Sequence, residues 1–390
     1  MKILITSDWY IPAVNGVVTS VKNLRRELEA RGHEVRVLTL SQNRRSYKRD
    51  GVTCLGSVAA GLIYPGARLR TALAGKWVRE IVEWGPDVVH SQCEFSTFFL
   101  ARRIAEELDI PLVHTYHTVY EDYTHYFSPN VRFGKKAAAV FTRWAASHTD
   151  CLIAPTGKVR LLLQGYGVQK PVFVVPSGID LRHFQSEPDP LRSAVLRASL
   201  GIPQDRTILV FVGRLAEEKR VEELLRFRAH MGKADVTLLL VGDGPDRKRL
   251  EGAAAGLGLA APDVVFAGMV PAEQVADWYQ LGDLFVSAST SETQGLTYAE
   301  ALAAGVPVLC RADPCLLGVV RDGENGWQYH DEADFRARLE DFLAHPQRRE
   351  ALSRGARETG EEYSAQRFAE RVEAIYLEQI ERGSPRRIPA

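Results

Sequence analysis

The chain has 390 residues, enough for two to three domains at about 150 residues each, and a core that size needs no disulfide or metal to close it. Hydrophobic residues are 45% and charged residues 25%, the balance of a soluble globular enzyme, with no low-complexity, collagen-like or coiled-coil composition. Lys+Arg and Asp+Glu are 49 each, so the net charge is zero, which argues against a general nucleic-acid coat protein.

The zero hides an asymmetry. Residues 1–180 hold 23 basic against 16 acidic side chains, and residues 181–390 hold 26 against 33. A basic first half suggests an anionic partner there, with drift of surface charge as the plain alternative. The five cysteines, Cys54, Cys93, Cys151, Cys310 and Cys315, form no C-x-x-C pair. Reduced, cytosolic thiols are the simplest expectation. The opening MKILITSDWY has too short an apolar stretch for a signal peptide, and no run of about 18 apolar residues occurs to span a membrane.

In chain order, apolar runs at 2–6, 35–40, 87–90, 111–115, 151–154 and 172–175 predict a first series of strands. Runs at 207–212, 236–241, 264–267, 284–287 and 306–309 predict a second. Helical patterns fall between them at 17–31, 97–108, 218–231, 245–256, 271–281 and 295–304. Strands this apolar are buried on both faces by crossover helices, so the expected class is α/β, with two doubly wound, Rossmann-like domains. The break falls in the Pro- and Asp-rich stretch 176–192, giving domains 1–178 and 179–362 and a final helix at 363–382.

Open α/β sheets bind ligands at the carboxyl ends of their strands. The first such loop runs from strand 2–6 to Asn15-Gly16, where a helix begins. Gly16 lets a phosphate approach the backbone at a helix N-terminus, unless it is an ordinary turn glycine. The second loop, after 207–212, carries Arg214 and Lys219, a fork and a point charge suited to phosphate oxygens. A solvated helix start is the ordinary reading of that pair. The third, after 284–287, reads Ser291-Glu-Thr-Gln-Gly295-Leu-Thr297 with Glu300 beyond. The N–H groups of Gly295, Leu296 and Thr297 would face an anion, and Glu300 could accept from a ribose diol. Capping by Ser291 and Thr293 with two surface glutamates is the alternative. The segment from Gly256 to Ala261 matches G-x-G-x-x-A but closes a helix, so it reads as a C-cap. Gly242-Asp243-Gly244-Pro245 reads as a tight strand-to-helix turn.

Between Asp122 and Asp150 no acidic residue occurs. There Arg132, Lys135, Lys136 and Arg143 share one side of a predicted helix, and Phe133, Ala137, Val140, Phe141 and Trp144 share another. Such a helix can lie on anionic lipid, or it packs its apolar stripe on the core. Further basic residues at Arg44, Arg45, Lys48 and Arg49, and the edge Leu62-Ile63-Tyr64 with Arg68 and Arg70, favour the lipid. Each basic residue near an anionic surface contributes about 1 kcal/mol.

Taken together, Arg214, Lys219 and Glu292-x7-Glu300, with SGID (177–180), VGRLAEEK (212–219), VGDGP (241–245) and EALAAGVPV (300–308), resemble the retaining glycosyltransferases of the GT-B fold, family four. The resemblance runs from the first strand to the final helix. It implies two Rossmann-like domains facing a cleft, with the final helix crossing back to the first. It also implies roles: Gly16, Arg214 and Lys219 at the donor diphosphate, Glu300 at the ribose, and Glu292 at donor-sugar hydroxyls. Backbone at Gly295, Leu296 and Thr297 would meet the distal phosphate, Met269 and Val270 the base, and His117 the donor sugar. Catalysis is expected at His117 and Glu292: retention could use a carboxylate nucleophile, first of all Glu292, whereas the resemblance implies same-face attack with the departing phosphate oxygen taking the acceptor proton. Many members read E-G-F-G where this chain has Glu292-Thr-Gln294-Gly295, so Gln294 bears on donor identity.

The segment from His114 to Tyr126, with ETQGLTYAEAL, is similar to the bacterial diacylglycerol glucosyltransferases. These are similar to the phosphatidylinositol mannosyltransferases in fold and membrane attachment. The implied reaction moves a hexose, first of all glucose from UDP-glucose, to diacylglycerol at the inner membrane face. Tyr120, Glu121 and Asp122 would stand on the acceptor side, with capping of the next helix as the alternative for Glu121 and Asp122. Arg132, Lys135, Lys136 and Arg143 would stand on the membrane side. No D-x-D triplet occurs, so no metal or other cofactor is expected. Phosphatidylinositol, a polysaccharide or a soluble acceptor remains open, as does a non-catalytic nucleotide-sugar-binding protein. A nicotinamide-dependent dehydrogenase fails for want of a correctly placed G-x-G-x-x-G.

Overall fold

The computed structural model describes residues 1–13, 15–60, 68–70, 75–119, 131–185, 189–232 and 234–383, with the side chains of 131 and 132 set aside. The chain divides into two compact units, one of Met1–Gly178 plus the segment from Ala365 onward, the other Ile179–Ser364.

In chain order the first unit holds β1 (Lys2–Ser7), α1 (Gly16–Ala30), β2 (Glu34–Leu40), β3 (Tyr47–Arg49), β4 (Val52–Leu55), β5 (Ser57–Ala59) and β6 (Arg68–Arg70). It continues through α2 (Gly75–Trp84), β7 (Val88–Ser91), α3 (Ser96–Leu108), β8 (Leu112–Thr115), α4 (Val131–Ser147), β9 (Cys151–Ala154), α5 (Gly157–Gly165) and β10 (Val172–Val174). Eight strands form one sheet in the order β10-β9-β8-β7-β1-β2-β4-β3, parallel except for the β3–β4 pair. Strands β3 to β6 are absent from the expected series. They are short, and exposed charge on β3 breaks the apolar runs that mark the others. Such charge also protects a sheet edge from pairing with another chain.

The second unit holds α6 (Pro190–Ser199), β11 (Thr207–Val212), α7 (Val221–His230), β12 (Val236–Val241), α8 (Arg247–Gly256), β13 (Val264–Gly268), α9 (Val275–Gln280) and β14 (Leu284–Ser287). Then come α10 (Leu296–Ala303), β15 (Val308–Arg311), β16 (Gly326–Tyr329), α11 (Glu332–Ala344) and α12 (Arg349–Glu361). Its six strands are all parallel, ordered β13-β12-β11-β14-β15-β16. The last helix, α13 (Ala365–Gly383), belongs to the first unit.

The period of two along each strand sorts side chains into two cores. On β11, Ile208, Val210 and Val212 join one cluster, and Leu209 and Phe211 join the other. On β1, Ile3 and Ile5 face the core that takes α1 and α13, and Leu4 faces the one that takes α2 and α3. The apolar stripe Phe368, Val372, Ile375 and Tyr376 seats α13 in the first of these. Tyr376 hydroxyl lies 2.5 Å from His90 Nδ1, and Glu373 meets Arg31 at 2.5 Å and His33 at 2.8 Å.

All five cysteines are free and buried. Among the described residues no helix is long and apolar enough to cross a membrane.

Helix α10, which carries the third candidate loop at its start, is held by close packing on α12. A Cβ on Gly360 would sit 2.5 Å from Ala303 Cα and 2.6 Å from its nitrogen. That backbone cannot yield as a flexible side chain would. Gly360→Ala is expected to push the helices apart and lower stability by about 1–3 kcal/mol, the range for overpacking, read as a fall in Tm by circular dichroism.

Candidate active site

In the second unit the strand order reverses between β11 and β14. Helix α7 after β11 packs on one face and α10 after β14 on the other, so the two loops part at this point and leave a crevice. Both loops carry the expected donor residues. The β11 loop is stitched to its neighbour by backbone, with Gly213 N–H donating to Val241 O at 3.0 Å and Leu215 N–H to Asp243 O at 3.0 Å. The glycine-rich segment after β12 is thus a tight turn, as its sequence suggests.

Arg214 pairs with Glu218. Lys219 ends a short 3-10 turn, Glu217–Lys219, and its Nζ lies 2.5 Å from Glu292 Oε1 on the β14 loop. Two residues read separately in the sequence are therefore in contact, each mostly buried. A cation bonded to a carboxylate fixes that carboxylate in place to accept from hydroxyls. Arg220, next in the chain, takes left-handed backbone at φ 52° and donates to Glu223 at 2.7 Å. Glu223 is buried and also receives Arg311 at 2.7 Å and the Tyr329 hydroxyl at 3.1 Å. This network ties the base of the lysine loop to β15 and β16.

Gly295 begins α10 in left-handed conformation, φ 73°. A Cβ there would stand 2.5 Å from the Tyr298 ring. Only glycine fits this turn without strain. No described side chain caps the helix, so Ser291 and Thr293 do not act as its caps. The first N–H groups of α10, at Leu296 and Thr297, are available to an anion. Glu300 is half-buried one turn on and accepts from the Tyr279 hydroxyl at 2.7 Å. Burial raises its pKa to about 7, against the lowering effect of that hydrogen bond. Met269 is 73% exposed at the end of β13, Val270 packs on the core, and Gln294 is half-buried.

The first unit reverses its strand order between β1 and β7. Helix α1 starts at Gly16, capped by Asn15 Oδ1 on Val18 N–H at 2.9 Å. Across the reversal lie buried polar groups from the loops after β1, β7 and β8. Asp8 Oδ1 accepts Thr97 N–H at 2.8 Å. His114 Nε2 and Glu94 Oε1 are 3.1 Å apart, and His117 Nε2 and Gln92 Oε1 are 2.7 Å apart. Burial, and then the neighbouring His114, lower the His117 pKa to about 3, so its imidazole is neutral. Tyr120, Glu121 and Asp122 lie outside the described residues. Among the described residues no group of three or more His, Cys, Asp or Glu is arranged to hold a metal ion.

Comparison with known proteins fits this geometry. Residues 14–183 match the family model for Glycosyltransferase Family 4, and residues 193–359 match that for Glycosyl transferases group 1. A protein of Streptococcus pneumoniae named alpha-monoglucosyldiacylglycerol synthase is 35% identical over 97% of this chain and 86% of its own length. One of the same name from Acholeplasma laidlawii is 33% identical over 98% of each. The chain is a family 4 glycosyltransferase. Solved structures agree on the fold of this transferase, two Rossmann-like domains of the GT-B type. Sucrose-phosphate synthase from Thermosynechococcus elongatus superposes with a TM-score of 0.75 at 22% identity over 97% of this chain and 98% of its own. Anabaena HepE in complex with UDP-glucose gives 0.75 at 18% over 97% and 100%.

The basic helix of the transferase departs from one of its two sequence expectations. The alternative in which Phe133, Ala137, Val140, Phe141 and Trp144 form a core-facing stripe does not hold. Helix α4 buries Gly134, Ala138, Thr142, Ala145 and Ala146 instead. Phe133 is 68% and Val140 56% exposed, and Phe141 and Trp144 are half-buried among Phe95, Phe98 and Phe99. Lys135, Lys136 and Arg143 are exposed, and Arg132 is described by its backbone alone. The small residues pack closest, so the large ones are left outside. Arg44, Arg45, Lys48 and Arg49 are all exposed, but Arg68 is not a free surface cation. It donates to Ser41 O, Ser57 Oγ and Gln42 O at 2.7–3.0 Å. Leu62, Ile63 and Tyr64 lie outside the described residues.

Residues the sequence reading passed over include Asp8, Gln92, Glu94, Tyr279 and Glu223. Asp8 is nearly buried, and burial chiefly, with Glu94 adding to it, raises its pKa to about 6. The folded protein therefore holds this proton more tightly than the unfolded chain, and stability falls as pH rises from about 4 through 6. The full cost above that range is on the order of 3 kcal/mol. Asp8→Asn is expected to raise Tm at pH 7.5 relative to wild type and to lose that advantage by pH 4, measured by thermal denaturation across pH.

Proposed function

We propose that this transferase moves glucose from UDP-glucose to diacylglycerol at the cytoplasmic face of a membrane, keeping the anomeric configuration. The observation that carries the proposal is the likeness, along nearly the whole chain, to two proteins named alpha-monoglucosyldiacylglycerol synthase. The exposed apolar and basic faces of α4 support the lipid acceptor.

In this reading Arg214, Lys219 and the N-terminus of α10 at Gly295, Leu296 and Thr297 bind the donor diphosphate, with Gly16 of the first unit. Glu300, set by Tyr279, takes the ribose hydroxyls, and backbone at Met269 and Val270 meets the base. Glu292, fixed by Lys219, and Gln294 take sugar hydroxyls, and His117 contacts the sugar from the first unit. As the C1–O bond to the diphosphate breaks, charge gathers on the departing phosphate. Fixed donors aimed at that charge lower the barrier without reorganising. The acceptor hydroxyl attacks C1 from the same face and gives its proton to the departing phosphate oxygen. Tyr120, Glu121 and Asp122 serve the acceptor hydroxyl. No metal or other cofactor takes part.

The test is a donor and acceptor matrix read by mass spectrometry: UDP-glucose, UDP-galactose, UDP-N-acetylglucosamine and GDP-mannose, with and without diacylglycerol in anionic vesicles. Lipid-dependent UDP release with a glucosyl-diacylglycerol product is expected, and UDP release without a lipid product overturns the acceptor. Lys219→Ala is expected to lower kcat by about 10²–10³, the cost of losing one donor at a developing charge.

Membrane attachment has its own measurement. Wild type is expected to sediment with anionic vesicles at low salt. Phe133→Ser with Val140→Ser should weaken partitioning at least about tenfold, since burying one large apolar side chain contributes about 1.5–3 kcal/mol. Full recovery of wild type in the supernatant would refute the attachment.

A further inference from the structure

The mechanism assigns His117 a contact with the sugar but leaves open which ring nitrogen faces it. The residues behind the ring decide this. Gln92 follows β7 and is almost wholly buried, and its backbone N–H is pinned to Thr6 O of β1 at 2.8 Å. Its side chain projects toward the loop after β8, where Oε1 meets His117 Nε2 at 2.7 Å. A carboxamide oxygen only accepts, so His117 Nε2 must donate. A neutral imidazole that carries its proton on Nε2 has a lone pair on Nδ1.

We propose that Gln92 is a positioning residue for His117, holding the imidazole as the Nε2–H tautomer so that Nδ1 meets the substrate as a hydrogen-bond acceptor. The other end of the carboxamide, Nε2, is buried and has no hydrogen-bond partner among the described residues. The amide is thus committed to this one side-chain bond, and the bond fixes both the ring's orientation and its proton. A substrate hydroxyl would then donate to Nδ1 rather than accept from it. The effect on turnover rests on the place given to His117 in the proposed reaction, whereas the tautomer does not.

The groups around the ring keep it uncharged. His114 stands close enough to oppose protonation of His117, and His90 is itself held neutral by burial and by both neighbours. Among the described residues the acidic side chain of this cluster, Glu94, meets His114 at 3.1 Å. Asp8 lies beyond it and senses Glu94. An uncharged carboxamide is therefore the partner that fixes the tautomer without inviting a second proton. A carboxylate in its place would favour the imidazolium.

The experiment uses the full-length chain labelled with ¹⁵N-histidine. Two-bond ¹⁵N–¹H couplings should assign His117, identified by its absence in His117→Ala, to the Nε2–H form, and an Nδ1–H form overturns the proposal. In Gln92→Met the signal should shift toward a tautomer mixture. With UDP-glucose and diacylglycerol vesicles, kcat should fall about ten- to a hundredfold while KM changes little, the cost seen elsewhere when the partner orienting a functional imidazole is removed. Gln92→Glu should restore the orientation at high pH and add an acid limb to the kcat profile, as His117 takes a second proton. An unchanged tautomer and unchanged kcat in Gln92→Met overturn the proposal. Should Gln92→Met fail to fold, the wild-type spectrum and the Gln92→Glu profile still decide. Full turnover by His117→Ala would overturn the role of His117 in the reaction and leave the tautomer result standing.

Discussion

A parallel strand and its crossover helix can be joined in one hand only, so a sheet that grows outward in both directions must begin from two neighbouring strands whose helices leave on opposite faces. In this protein those strands are β1 and β7 in one unit, β11 and β14 in the other. Every described residue given a chemical task at these crevices lies in, or is bonded to, a loop at the carboxyl end of a strand or a helix that such a loop opens. The parting of the loops is a consequence of chirality and owes nothing to the ligand. What the sequence adds is the choice of side chains there. Lys219 and Glu292 come from the two parting loops of the second unit and close on each other. Gln92 and His117 come from adjacent parallel strands of the first and do the same.

The two crevices handle charge in opposite ways. The second unit gathers formal charges and pairs them: Lys219 with Glu292, Arg214 with Glu218, Glu223 with Arg311. Paired charges at a helix N-terminus suit a substrate that is itself doubly charged and leaves with more charge than it brought. The first unit gathers histidines, and burial and neighbouring imidazoles keep His90 and His117 neutral. A neutral, hydrogen-bonding lining suits hydroxyl groups. The proposed division between an anionic donor and an uncharged sugar or alcohol agrees with the electrostatics of each unit taken by itself.

Much of the frame is legible in the residues. Strands buried on both faces announce themselves as unbroken apolar runs, and β11, β12 and β14 begin and end where those runs do. The loops proposed to bind phosphate are legible as well, because their glycines and basic residues fall at fixed places after such strands. Other features are not, each for a physical reason. Strands β3 to β6 are too short and too exposed for alternation to register. Tyr279, which sets Glu300, is an ordinary aromatic in a helical pattern until the fold brings it across 21 residues. Gln92 has no local signal, because its function is a bond to a residue on another strand. Helix α4 misleads for a subtler reason. Its large apolar residues form the obvious stripe, yet close approach to the sheet selects the small ones, Gly134, Ala138 and Ala145, for the core. Hydrophobicity predicts which face is apolar, and size decides which face is inside.

Helix α13 belongs to the first unit although the whole second unit separates it from the rest of that unit in the chain. Its Phe368, Val372 and Tyr376 complete the core around Ile3, Ile5 and Leu24, and Tyr376 supplies the hydroxyl that meets His90. A chain is made from its N-terminus, at about 5–20 residues per second. The opening strands therefore emerge first but wait for the closing helix, and the second unit has all its residues before the first does. On the ribosome the unit whose strands emerge earlier is completed after the other.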